Sequence, residues 1–145
     1  MFIARYPAKI VLEQDGRGFF VRFPDLAEAL TGGDDLEDSL GQAADCLAEA
    51  LAGRIRRGDP IPTPSPGKRG QHLIGVPLYL APKLALYVAM QEQGLRNTDL
   101  AKRLGVSETV VRRMLDPKHT TRPEKIQAAL GALGVTIALV FENAA

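Results

Sequence analysis

One cysteine, Cys46, is all the chain carries. A disulfide framework within the chain is excluded, and so is a zinc site built from cysteine pairs. Histidine is nearly as scarce, with 2 residues, and neither falls within residues 1–62. No run of about 18 apolar residues occurs, which excludes a membrane-spanning helix. The segment Met1-Phe2-Ile3-Ala4-Arg5-Tyr6-Pro7 lacks a basic stretch followed by a long apolar core, so no signal peptide is read and a cytoplasmic protein is expected. No Gly-rich phosphate loop and no nucleophile motif is found. Net charge is also slight, at +1.

Proline is not scarce: there are 10, and Pro60, Pro62, Pro64 and Pro66 alternate with Ile61, Thr63 and Ser65. Proline at every second position removes backbone donors and fixes φ, so neither a helix nor a central strand forms there. A semi-rigid connector over residues 63–72 is expected. The charge divides at this point. Residues 1–62 hold seven Lys/Arg against eleven Asp/Glu, residues 63–72 add Lys68 and Arg69, and residues 73–145 hold nine against six. An acidic half and a basic half point to two domains with different partners: 1–62, joined by a possible returning strand at 73–80, and 81–145.

In the first half, Ala8–Glu13 and Phe19–Phe23 read as strands around an Asp15-Gly16 turn, with a third short strand at Glu28–Thr31. Leu36, Leu40, Ala43, Leu47, Leu51 and Ile55 step by three or four and predict a helix whose stripe covers the sheet. Asp34 or Asp35 caps it, and Gly58 closes it. Asp15, Asp25, Asp34, Asp35 and Asp38 could hold a cation for nuclease chemistry, but turn formation and helix capping account for each of them. No catalytic residue, metal or cofactor is therefore expected, and Cys46 reads as a small packing residue.

In the second half, Pro82 opens a helix that ends at Gly94. Asn97 is placed as the cap of a helix over Thr98–Leu104, Gly105 as the tight turn, and Ser107 as the cap of a helix over Glu108–Leu115. Two short helices about a glycine turn form the helix-turn-helix pattern. Leu100, Leu104, Val106, Val111 and Leu115 fall inward, and Ala101 is small where the helices cross. Ser107, Glu108, Thr109, Arg112 and Arg113 fall outward on the second helix, which would enter the major groove by its N-terminal end. Arginine reads guanine or phosphate, Glu108 accepts from cytosine, and Thr109 contacts a base. Asn97, at a helix start, faces phosphate. A further helix follows from Pro123, and His119 reads as exposed in the preceding loop. Val135–Phe141 alternates like a strand, and an isolated strand suggests pairing with its copy in a homodimer. The expected fold class is α+β: a small antiparallel sheet with one covering helix, then an all-helical helix-turn-helix domain with a terminal strand.

Gly18-Phe19, Phe23-Pro24-Asp25-Leu26, Thr31-Gly32-Gly33-Asp34, Gly58-Asp59-Pro60-Ile61-Pro62, Pro77–Tyr87, Leu100–Arg113 and Asp116-Pro117-Lys118-His119, in that order, resemble the HicB-type antitoxins of HicA–HicB toxin–antitoxin systems. The resemblance spans nearly the whole chain. It implies a partial ribonuclease-H-like first domain that masks a basic, messenger-RNA-cleaving HicA-type toxin, and a second domain that binds operator DNA and represses the operon as a dimer or higher homo-oligomer. It implies no enzyme activity. The alternative is a stand-alone transcriptional regulator whose first half is a sensor or dimerisation domain.

Overall fold

The computed structural model describes residues 1–143 and resolves the chain into two compact units, Met1–Ala81 and Pro82–Ala145. In the first unit, β1 (Arg5–Leu12), β2 (Phe19–Phe23), β3 (Leu26–Gly33) and β4 (His72–Gly75) surround one long helix in the sequence, α1 (Leu36–Arg57). The strands form a sheet of order β3-β2-β1-β4, antiparallel at every pairing. Alternation sends Tyr6, Ala8, Val21, Phe23 and Ile74 inward, and α1 packs over all four strands. From α1, Ala43, Leu47, Leu51 and Ile55 are buried. Full burial of Leu47 or Leu51 is worth about 1.5–3 kcal/mol each. Leu36, at the helix start, lies outside this stripe at 44% exposure.

The helix ends follow from local chemistry. The Asp35 carboxylate accepts from the Asp38 N–H at 2.8 Å, and Asp38 accepts in return from the Asp34 N–H at 2.9 Å. Glu37 and Asp38 place negative charge at the positive end of the helix dipole. At the other end Gly58 adopts φ 74°, a left-handed conformation that side chains disfavour. The Asp59 N–H then closes on the Arg54 carbonyl at 2.9 Å.

Residues 63–72, expected as a linker, lie inside the first unit. Prolines donate no N–H, but their carbonyls still accept. The Tyr6 hydroxyl donates to the Pro62 carbonyl at 2.7 Å, and Arg54 donates to the Pro60 carbonyl at 2.9 Å. Ser65 donates its N–H to Asp25 at 2.8 Å. The segment is thus a strap on the unit's own surface that delivers β4 to the free edge of β1, where Tyr6 pairs with Ile74. The return strand stops at Gly75 rather than continuing to residue 80, because the Leu80 and Ala81 N–H groups turn back onto the Pro77 carbonyl. With Lys68 and Arg69 inside it, the first unit carries nine Lys/Arg against eleven Asp/Glu, so its net charge is −2 rather than the −4 of residues 1–62, while the second unit carries +3.

The second unit contains α2 (Ala81–Glu92, begun at the unit boundary), α3 (Asn97–Leu104), α4 (Glu108–Leu115) and α5 (Pro123–Ala132). Leu86, Leu100, Val111, Ala129 and Leu130 are buried. The strand expected at Val135–Phe141 does not form: these residues have no strand pairing, and Ile137, Leu139, Val140 and Phe141 are 48, 62, 68 and 87% exposed. A strand needs a neighbouring edge for its N–H and C=O groups, and the described residues of this unit form no other strand.

Candidate functional site

The pair α3 and α4 is built around three small features. Gly105 takes φ 67°, and the Val106 N–H reaches back to the Ala101 carbonyl at 3.0 Å, which turns the chain sharply between the helices. Ala101, 6% exposed, keeps the crossing close, and Leu100, Val111, Met114 and Leu115 fill it. Leu104 is only half-buried, and Val106, expected inside the turn, is 37% exposed: with the glycine making the bend, the next side chain is carried to the rim.

Six polar residues were expected at a DNA surface. Ser107, Arg112 and Arg113 are exposed, and Asn97, Glu108 and Thr109 are half-buried. Ser107 occupies the cap position of α4 without a side-chain cap bond. Asn97 is the first residue of α3, and Arg96 takes the cap position instead; the Arg96 N–H donates to the Asp99 carboxylate at 2.8 Å. That N–H and the Arg96 guanidinium hold Asp99 below the usual carboxylate range. The Asn97 amide is free to turn to α4, where it donates to Glu108 at 3.3 Å. Arg112 lies 3.6 Å from the same carboxylate, one turn along. Glu108 is therefore occupied from both sides, whereas Arg113 makes no ion pair among the described residues. The arrangement presents the uncommitted Arg113 guanidinium on the outward ridge of α4, with an Asn97–Glu108–Arg112 cluster joining α3 to α4.

The first unit offers a different surface. The sheet face opposite α1 carries Val11, Phe20, Leu30 and Leu73 at 39, 37, 56 and 44% exposure. Val11 stands opposite Phe20 and Lys9 opposite Arg22, with Leu30 beside Arg22 and Leu73 beside Pro7, so two cations lie between the Val11–Phe20 pair and Leu73. At one end of the sheet, Glu13, Asp15, Asp34 and Asp38 line an open cleft of about 350 Å³ with Arg17. The Arg54 guanidinium grips both oxygens of Glu28, at 2.7 and 3.0 Å, and this donation is the main reason Glu28 titrates below the usual carboxylate range. Burial raises the Tyr6 phenol well above its ordinary value, with Asp25 acting in the same direction. Among the described residues no group of three His, Cys, Asp or Glu side chains is arranged to hold a metal ion, and no helix is long and apolar enough to cross a membrane.

A family model described as the HicB_like antitoxin of bacterial toxin–antitoxin systems matches residues 5–85. Antitoxin HicB 2 of Photorhabdus laumondii is 38% identical over 136 residues, 94% of this chain and 95% of that protein. Antitoxin HicB of Escherichia coli K12 is 33% identical over 137 residues, 94% of this chain and 99% of that protein. With more than half the chain matched by the family model and nearly all of it aligned to these relatives, the chain belongs to the HicB-like antitoxin family.

Proposed function

We propose that this chain neutralises a small HicA-type toxin through its first unit and represses its own operon by laying α4 in the major groove of operator DNA. It does so in the cytoplasm and without catalysis. The observation that carries the first part is the extent of the family match: a model built for antitoxins covers residues 5–85 and ends before α3. That extent supports a toxin-binding surface on the partial ribonuclease-H-like first unit, where the acidic cleft complements a basic partner and the sheet face around Phe20 offers apolar contact. In the second part, Arg113 reads a guanine or a phosphate, Arg112 and Thr109 contact the groove, Ser107 and Asn97 meet the backbone, and Glu108 holds the cluster in register. The modest charge of the second unit favours a few specific contacts over a strong non-specific grip. In a homodimer the largely exposed Val135–Phe141 segments, which have no strand pairing within one chain, would offer each other the missing edge and supply the second half-site reader.

The test is paired. Arg113→Ala in the full chain should weaken binding to the DNA upstream of its own gene by roughly 1–3 kcal/mol and leave capture of the neighbouring toxin intact. Phe20→Glu should do the reverse. An Arg113→Ala protein with unchanged operator affinity refutes the assignment of the reading face, and toxin capture unaffected by Phe20→Glu refutes the sheet face.

A further inference from the structure

We infer that Lys83, a residue away from the outward ridge of α4, positions that helix and so sets the discrimination between operator and unrelated DNA. The inference rests on reading α4 as the DNA-contacting helix.

Lys83 lies in the first turn of α2 and is 3% exposed. Both circumstances work against a lysine. A cation near a helix N-terminus meets the positive end of the dipole, and burial strips the ammonium of water. Burial accordingly pulls the Lys83 ammonium below the ordinary lysine range, and Asp116 opposes that shift. A residue needed only to fill space there would be leucine or methionine.

The ammonium instead meets three acceptors. It donates to the Arg113 carbonyl at 3.1 Å, to the Met114 carbonyl at 3.1 Å and to the Thr121 hydroxyl at 2.9 Å. All three of its protons are used. The two carbonyls belong to the last turn of α4, where the dipole is negative; the Arg113 carbonyl also accepts weakly from the Asp116 N–H at 3.3 Å, so the ammonium completes the capping of this end. Thr121 belongs to the loop that leads to α5, and its hydroxyl also lies 3.1 Å from His119 Nδ1 and 3.4 Å from the Arg113 carbonyl. One buried charge thus ties the start of α2, the end of α4 and the following loop together. The backbone of Arg113, whose side chain is the uncommitted guanidinium of the ridge, is part of that tie. Removing the ammonium frees α4 to tilt and roll about its packed Val111 and Leu115, which misaligns side chains that must meet base edges but scarcely disturbs contacts to phosphates.

The experiment compares the full chain with Lys83→Met and Lys83→Arg by fluorescence anisotropy. The probes are the duplex upstream of the gene and an unrelated duplex of equal length at the same salt. Lys83→Met should lose roughly tenfold on the operator, the scale of a charge-assisted contact, and little on the unrelated duplex. Lys83→Arg, which keeps the charge, should recover much of the loss. Equal losses on both duplexes, or an unchanged operator affinity, overturn the inference. If Lys83→Met does not fold, Thr121→Val removes one of the three acceptors, with that hydroxyl's contacts to His119 and the Arg113 carbonyl, and should show the same selective loss in smaller measure; no selectivity there also overturns it. If the unaltered chain does not distinguish the duplexes, the DNA reading itself has failed. Amide exchange then tests the tie directly: Lys83→Met should speed exchange over Asp116–Thr121 but not over Ile126–Leu130, and an unchanged pattern ends the inference.

Discussion

Replacing Tyr6 with phenylalanine isolates what holds the proline strap. The ring of Tyr6 is fully buried, so Phe keeps the packing and removes only the hydroxyl that donates to the Pro62 carbonyl at 2.7 Å. A buried neutral hydrogen bond is worth about 0.5–1.5 kcal/mol net. Pro62 is only half-buried, so water can reach its carbonyl after the change, which keeps the expected cost near 1 kcal/mol. For a unit of this size that corresponds to a Tm lower by about 4–8 °C. The pH dependence sharpens the test. Because the folded state raises the phenol pKa, the native protein keeps a proton that the unfolded chain gives up near pH 10. The stability from this group is complete below pH 10 and falls as pH rises beyond it. Urea unfolding of the full chain, followed by NMR signals of β2 such as Val21, should show that alkaline loss in the parent and a smaller one in Tyr6→Phe. An equally steep alkaline loss in both proteins, or no cost at neutral pH, would refute the assignment of Tyr6 as the buckle of the strap.

Three further outcomes follow from the same geometry. A Cβ on Gly33 would lie 2.6 Å from the Ser39 backbone nitrogen, so Gly33→Ala should cost about 1–3 kcal/mol in urea unfolding, whereas Gly41→Ala, with nothing within 4 Å, should stabilise α1 by about 0.5–1 kcal/mol. The Glu28 carboxyl titrates below its usual range, so its contribution is present above the unfolded pKa and is lost as pH falls through the folded one; Glu28→Gln should flatten that acid-side loss, by less than about 1 kcal/mol because the pair is partly exposed. Leu139→Lys should leave the chain folded but monomeric by light scattering and weaken binding to a two-half-site operator; a dimer that persists would mean the tail does not join the copies.

Much of the local structure was legible because it is decided by neighbours in the chain. The α1 stripe, the Asp35 and Gly58 caps, the Phe19–Phe23 strand and the Leu100–Leu115 turn pattern all rest on period, capping and glycine geometry, which act within a few residues. The order of the motifs was enough to place the chain in its family. Side-chain choices between equivalent local options were less legible. Asn97 and Arg96 are adjacent, and Asp99 decided which of them caps α3. Lys83 carried no signal at all, because its acceptors lie 30 or more residues away.

The sequence by itself determined the elements, their amphipathic faces and the turn that joins α3 to α4. Only the tertiary structure decided what the prolines do. Their alternation forbids helix and central strand, and from that alone a linker between domains is the natural reading. Yet a carbonyl is untouched by the proline ring, and Tyr6 and Arg54, more than 50 residues and 6 residues away respectively, reach those carbonyls and fasten the segment to the sheet. The same fold brings Lys68 and Arg69 into the first unit and reduces its acidity to −2. The Tyr6 bond across 56 residues and the Ser65–Asp25 bond across 40 are made by tertiary packing, so no local pattern of residues announces them.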